Sequence, residues 1–463
     1  YRNGETEPNI KATEQELFEG LEATSVNCWP SVNFDVGAIN NFLKIFLPAG
    51  FYYKTFMWPA SFWEKYEYVI RHSAGLGKSP TEKDPDVYDH RYIHCDVLVV
   101  GAGISGILAA KNAAKNNLKT LLVDEKNELG GATIYQNREF NKIDDQNSSD
   151  WLKKEILELK KIKNLEIKTR TSVAAFHGYN YLLARENLTD HLEKKDKQGK
   201  IRQRLLKIRA KKVILATGAL ERPLIFNNND RPGIMLSSAV KKYADFYGVV
   251  SGKKNVFFTN NDSAYESAFC LHNKGIKVEA IIDIRESSNS KIVKAVKETG
   301  IKIYWSHAIV DTTGYKRLNS VSAMKLSNDG LSVTGNKINI SCDCLGVAGG
   351  WTPAVHLFTQ SGGKLTFDEN DKVFLPNKNP SEQLSVGSCN GDFKLKEIIN
   401  NLSINLKQFL KVNETDFDNI NVESEEESSK RNIWLLPSDK PIGKTKPFVD
   451  YQNDATAKDI KLA

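Results

Sequence analysis

Between residues 91 and 400 the chain alternates short, unbroken apolar runs with longer amphipathic ones. DVLVV at 96–100 is apolar throughout, the mark of a strand buried on both faces. An Ala-rich helical stretch follows to about Asn117, and KTLLV at 119–123 is the next strand. Strand, helix and strand in that order imply parallel pairing. WLKKEILELKKIK reads as a charged helix, and LEIKTRTSVAAF, YLLARE and RQRLLKIRA read as strands. KKVILATGALERP brings a buried strand back to the first sheet. GKKNVFFTN, a helix through 274 and GIKVEAIIDIRE repeat the unit. After a strand-rich stretch to about 345, LGVAGGWTP and LSVGSCNGDF are expected back in the first sheet, so that one nucleotide fold interrupts another.

The flanks differ. EPNIKATEQELFEGLEA reads as a polar helix, and the segment from Asn27 to Ile70 is dense in Phe, Tyr and Trp. It suits either an aromatic arm over the next domain or a surface for another subunit. Near the other end, NVESEEESSKRN is acidic and Ser-rich, the composition of a solvated linker. The expected organisation is an aromatic-rich arm over 1–90 and a dinucleotide-binding domain over 91–225 plus 346–400. A second, degenerate nucleotide fold covers 226–345, and a linker over 401–463 leads to a further domain. The chain opens on Tyr and closes on FVDYQNDATAKDIKLA, which suggests a fragment cut at both ends.

Composition narrows the function. Of 463 residues, 40% are hydrophobic and 26% charged, an ordinary globular balance. The net charge of +7 comes from dispersed lysines and not from a basic run with aromatics, which speaks against nucleic acid. No apolar run is long enough to span a bilayer. The six cysteines form no Cys-x-x-Cys, which argues against a zinc ribbon, an iron–sulfur cluster or a redox pair. Their sparse use suits the cytoplasm. His90 and His94 have no companion ligands, so no metal site is expected.

The chemistry sits at VGAGISG, residues 100–106. A lone GxGxxG is weak, but here a strand precedes it, a helix follows and a carboxylate closes the next strand. Gly101 permits the tight turn, Gly103 lets backbone approach a pyrophosphate, and Gly106 lets helix and strand pack closely. The helix N-terminus offers N–H groups and a positive dipole end to the phosphates. Asp124 is placed to accept from ribose hydroxyls, and its charge disfavours a 2′-phosphate. Gly130-Gly131 and Ala216-Thr217-Gly218 stand where two-dinucleotide flavoproteins meet their first nucleotide. The fold class expected is therefore α/β, with two interleaved Rossmann-like folds of that flavoprotein type and an aromatic-rich N-terminal arm.

Three departures from that pattern matter. The second strand–helix turn reads TNNDSAY, residues 259–265, with no glycine for a second pyrophosphate. Asn261 and Asp262 are expected to cap the following helix instead. Ser388 follows Gly387 where such flavoproteins carry the aspartate that holds the ribityl chain of FAD, and Asp392 reads as a loop residue. Cys342 and Cys344, one residue apart, are expected on one face of a strand as structural thiols. Together these describe a chain that holds one dinucleotide without passing hydride through it, with no catalytic residue of its own.

LPAGFYYKTFMWP, FWEKYE, HCDVLVVGAG, FTNNDSAY and GGWTPAVHLFTQSGG make the chain similar to the alpha subunits of heterotetrameric sarcosine oxidases, over nearly its whole length. The resemblance implies NAD in this subunit, FAD in a beta subunit that oxidises the amine, and FMN at the interface between them. Gamma and delta subunits complete the complex, and tetrahydrofolate binds a C-terminal half absent here. By carry-over, Gly101, Ala102, Gly103, Ser105 and Gly106 line the pyrophosphate. Asp124, Glu125 and Lys126 lie near the adenosine ribose. Gly131, Thr133, Val173, Ala216, Thr217 and Gly218 complete the wall, with Ala348, Thr352, Leu357 and Thr359 from the returning segment. The implied role is an NAD-holding part of an oxidoreductase acting on CH–NH donors. Three alternatives stand beside it: an FAD-binding subunit of an opine or proline dehydrogenase, an FAD-dependent NADH oxidoreductase, and an assembly scaffold with an empty site.

Overall fold

The computed structural model describes residues 10, 15–39, 58–76, 83–135, 139–197, 199–379, 382–415, 420–424 and 430–463. The chain divides into two units, Tyr1–Arg91 with Arg185–Leu206, and Tyr92–Ala184 with Lys207–Ala463.

In the first unit, Arg202 bonds Asp86 and Asp190, each at 3.0 Å. Two residues on, Arg204 reaches Asp89 at 2.7 Å and Glu186 at 3.5 Å. The i, i+2 spacing puts both guanidinium groups on one strand face. The helix Trp63–Ser73 buries none of its residues. Trp29 and Trp58 are 71% and 83% exposed, so the described part of the aromatic segment presents rings to solvent. Residues 40–57 of that segment lie outside the described residues. The expected N-terminal helix is corrected where it can be seen. Residues 15–24 are bend, turn and coil, because Gly20 takes a left-handed φ of 75° within them. Residues 1–9 and 11–14 lie outside the described residues.

In the second unit, the end of the strand Val87–Val100 runs parallel to Thr120–Val123 from Val97↔Thr120 to Val100↔Val123. Leu165–Lys168 extends that side in parallel. The strand Ile201–Leu215 flanks Val87–Val100 on the other side and pairs in parallel with Gln383–Ser385. The helices Ile104–Lys115, Ser148–Leu159 and Leu395–Leu410 bury their apolar faces against this sheet.

A second sheet is wholly parallel, in the order Ile234–Leu236, Cys344–Ala348, Asn255–Thr259, Val278–Asp283, Lys302–Trp305. Of its three inner strands, Cys344–Ala348 and Asn255–Thr259 are buried at every residue, as double-faced covering requires. The helices Ser237–Asp245, Ser263–Asn273 and Lys291–Glu298 cover one face. An antiparallel meander of His307–Thr313, Ser320–Leu326 and Val333–Ser341 covers the other. These are the two interleaved Rossmann-like folds expected of the chain.

Two details correct the sequence reading. Residues 344–348 do not rejoin the first sheet; they pair with Asn255–Thr259 and Ile234–Leu236, and the return to the first sheet is made by Gln383–Ser385. An apolar strand needs both faces covered, and which sheet covers them is invisible in the strand itself. Cys342 and Cys344 also do not share a face. Only Cys344 lies in the strand, so the alternation rule does not apply, and each thiol packs into the core on a different side of the sheet.

Candidate functional site

At the carboxyl end of the first sheet the glycine loop opens onto a cleft of about 520 Å³. Gly101 takes φ 99° and donates its N–H to Val123 O at 2.8 Å, tying the turn to the next strand. A side chain at Gly106 would collide with the Gly101 carbonyl, so helix Ile104–Lys115 approaches the strand only because that position is bare. Gly103 differs. Its φ of −71° suits any residue, and a Cβ there would meet nothing within 4 Å. The bare position leaves room over the N–H groups of the helix start, which is the cradle a pyrophosphate needs.

Asp124 ends the second strand with both oxygens held. Oδ2 accepts from Ala102 N at 2.6 Å and Oδ1 from Lys126 N at 2.8 Å. These bonds aim the carboxylate across the loop. Gly131 begins the short helix Gly131–Tyr135, and a Cβ there would sit 2.8 Å from Gly103 Cα, so the second glycine pair closes on the first loop. Thr217 Oγ1 donates to Ala354 O at 2.8 Å and fixes the turn that forms the cleft's inner wall.

Of the residues singled out from the sequence, Gly101, Gly103, Ser105, Asp124, Glu125, Lys126, Gly131, Thr133, Val173, Ala216, Thr217, Gly218 and Leu357 line this one cleft. Five stand outside the lining. Ala102 acts through its N–H on Asp124, and Gly106 is the packing contact just described. Ala348 is buried in the second sheet, Thr352 sits in a short strand pair opposite Leu220, and Thr359 bonds back to His356 O at 2.9 Å.

Sequence reasoning missed Tyr135, Lys242, Trp351, His356 and Phe393, all of which line the cleft. Lys242 comes from the second fold and rests over the Tyr135 ring at 4.2 Å from its centroid. Burial lowers its ammonium from the usual lysine value, and Glu128 opposes the shift. Trp351 Nε1 is buried without a hydrogen-bond partner. Trp351 and His356 stand in GGWTPAVHLFTQSGG and Phe393 ends LSVGSCNGDF, but nothing near Lys242 in the sequence marks it. Ser388 lines the cleft, whereas Asp392 turns to Asn401 at 2.6 Å.

The matching turn of the second fold is filled by its own side chains. Asn260, Asn261 and Asp262 are 2%, 1% and 4% exposed. Asn261 Oδ1 accepts from Ser263 N at 2.8 Å and so caps the helix, as expected. Asp262 sits at the N-cap but makes no side-chain cap bond; it pairs with Arg285 at 2.8 Å. Arg285 also pairs at 2.7 Å with Asp283, which ends the next strand and accepts from Tyr265 OH at 2.8 Å. Asn260 donates to the Arg431 carbonyl at 3.1 Å, and the Arg431 guanidinium donates to the carbonyls of Ile284, Ser327 and Asn328. Among the described residues no group of three His, Cys, Asp or Glu side chains could hold a metal ion. No described helix is long and apolar enough to cross a membrane.

One buried acid near the cleft is testable. Glu221 pairs across the strand with Trp351, and its Oε2 accepts from Ser238 N at 2.9 Å. Its Oε1 has no partner, and burial raises the carboxyl to about 7. The folded state therefore keeps this proton while the unfolded state releases it. Stability from this group is full below the ordinary Glu value, falls as pH rises towards about 7, and is level above. Glu221→Gln is expected to remove a loss of about 3 kcal/mol between pH 4.5 and 7. Denaturant titrations at pH 5 and pH 8 measure it; an equal pH dependence in both chains would refute it.

Comparison with known proteins decides the family at this point. The model for pyridine nucleotide-disulphide oxidoreductases matches residues 95–379. The chain belongs to this family. Within it, the chain is 38% identical to sarcosine oxidase subunit alpha of Rhizobium meliloti (strain 1021), over 100% of this chain and 45% of that protein. Identity to the same subunit of Corynebacterium sp. (strain P-1) is 35%, over 84% of this chain and 40% of that protein. This oxidoreductase-family chain thus spans less than half the length of the curated relatives it matches. The resemblance to sarcosine oxidase alpha subunits extends along the whole sequence. Among solved structures, L-proline dehydrogenase from P. horikoshii shares the fold, with a TM-score of 0.51 and 20% identity over 72% of this chain and 58% of that chain.

Proposed function

We propose that the chain is the NAD-holding part of a sarcosine oxidase alpha subunit. The observation that carries this reading is the contrast between its two folds. The first offers an open cleft over a bare Gly103 and a helix start, with Asp124 aimed across it. The second fills the equivalent turn with Asn260, Asn261 and the Asp262–Arg285–Asp283 cluster. One dinucleotide is held, and no second one stands beside it to exchange hydride. NAD supplies redox chemistry only where a partner can reach it; here Gly103 and the helix N–H groups would hold its pyrophosphate and Asp124 would orient its ribose. A ligand that binds only the folded state also stabilises it. Sarcosine demethylation then takes place on flavins, with FMN at the interface with a beta subunit and FAD within that subunit. Gamma and delta subunits complete a cytoplasmic complex, and tetrahydrofolate binds outside residues 1–463.

A second reading places FAD in the same cleft. It is favoured by the apolar part of the lining, where Trp351, Leu357, Phe393, Leu395 and Ile398 would suit a flavin ring. Denaturing the purified chain and identifying the released nucleotide by chromatography and mass separates the two. NAD without flavin is the expected result; FAD would replace the first reading with the second, and an empty chain would remove both.

A further inference from the structure

We infer that Lys242, delivered by the second fold, is the cation that neutralises the phosphate-bearing middle of the bound dinucleotide. The inference rests on the reading above that the cleft holds such a ligand. The first fold meets phosphates with N–H groups and a helix dipole, equivalent to only about half a positive charge. A pyrophosphate carries about two negative charges, so a cation in the lining adds to what the helix start supplies. Lys242 lines the same cleft as Gly103 and Ser105, and Glu128 is the carboxylate that bears on its ammonium. Its position is built. The ammonium rests over the Tyr135 and Tyr247 rings, 4.2 Å and 5.3 Å from their centroids. Phe246 meets the Tyr135 ring edge-on at 4.7 Å and holds it. Tyr135 ends the five-residue helix that begins at Gly131, and Gly131 is the residue closed against Gly103. Lys242 is thus tied through Tyr135 and Gly131 to the loop of Gly103, both line one cleft, and a lysine side chain is long and flexible enough to move its ammonium within it.

Lys126 strengthens the case. Its ammonium lies 5.1 Å from the centroid of the same Tyr135 ring. Glu128 already bears on Lys242 and on this buried ring, and an anion entering between the two ammonium groups would add a further favourable contact to each. Because Lys242 belongs to the helix Ser237–Asp245 of the second fold and the glycine loop to the first, one ligand would touch both.

The test compares ligands with and without phosphate. The full chain, stripped of nucleotide, is titrated with ADP and with adenosine, as wild type, Lys242→Met and Lys242→Arg. Methionine keeps an apolar stem and removes only the charge. The expected result is ADP binding weakened about tenfold in Lys242→Met, adenosine binding unchanged, a shallower salt dependence for ADP, and recovery in Lys242→Arg. Equal weakening of ADP and adenosine would overturn the assignment in favour of a packing role, and unchanged ADP binding would overturn it outright. Failure of wild type to bind ADP at all would overturn the nucleotide reading beneath it.

Discussion

Gly103→Val is expected to fold and to bind nucleotide poorly, whereas Gly106→Ala, a smaller change three residues on, is expected to destabilise the fold. The two glycines serve different ends. A Cβ at Gly103 points into open cleft, and its backbone is that of an ordinary residue, so the substitution is expected to alter stability by no more than about 1 kcal/mol. The added methyls occupy the space above the helix N–H groups. A pyrophosphate that loses two such bonds is expected to bind about 100-fold more weakly. At Gly106 the Cβ meets the Gly101 carbonyl, which is backbone and cannot turn aside. Helix and strand must separate in a region where Ile107, Leu108, Ala109 and Ala110 are all almost wholly buried, at a cost of about 2–3 kcal/mol. Thermal melts of the stripped chain together with nucleotide titration distinguish the two. Lost stability in Gly103→Val, or full stability in Gly106→Ala, would contradict the account.

Arg285→Met is expected to be the most destabilising single change away from the cleft. Asp283 is fully buried and Asp262 is 4% exposed, and the Arg285 guanidinium bridges both, beside hydroxyl donors from Tyr265 and Ser288. Burial already raises the Asp283 carboxyl, and Arg285 is the main influence pulling it back. Removing Arg285 leaves an uncompensated buried charge, at a cost of about 3–5 kcal/mol. The sign with pH follows. Without Arg285 the folded state holds the Asp283 proton more tightly than the unfolded state, so stability falls as pH rises above the ordinary Asp value. The variant is therefore expected to lose more at pH 8 than at pH 5. Unfolding curves that show the same loss at both pH values would show that the cluster is not carrying buried charge. Nucleotide release from the first cleft should persist wherever the variant is folded, since Arg285 does not line it.

Much of this was legible in the chain alone. The glycine loop, the carboxylate after the next strand and the Ala-Thr-Gly turn each announce themselves within a few residues, because each answers a local steric or electrostatic need. The missing glycine in TNNDSAY was legible for the same reason. What was not legible lies between distant segments. Lys242 reads as any surface lysine of an amphipathic helix until that helix is packed beside Tyr135, about a hundred residues earlier in the chain. Arg285 and Arg431 read as isolated charges until folding places one on Asp262 and the other against Asn260.

The sequence by itself determined where a dinucleotide phosphate can sit, since bare backbone at Gly101, Gly103 and Gly106 is a property of residue type and spacing. Only the tertiary structure decided that residues 344–348 belong to the second sheet and that the second turn is sealed by its own side chains. It also decided that a lysine from one fold enters the cleft of the other. Those outcomes depend on which surfaces meet, and an apolar strand or a charged side chain carries no local record of its distant partner.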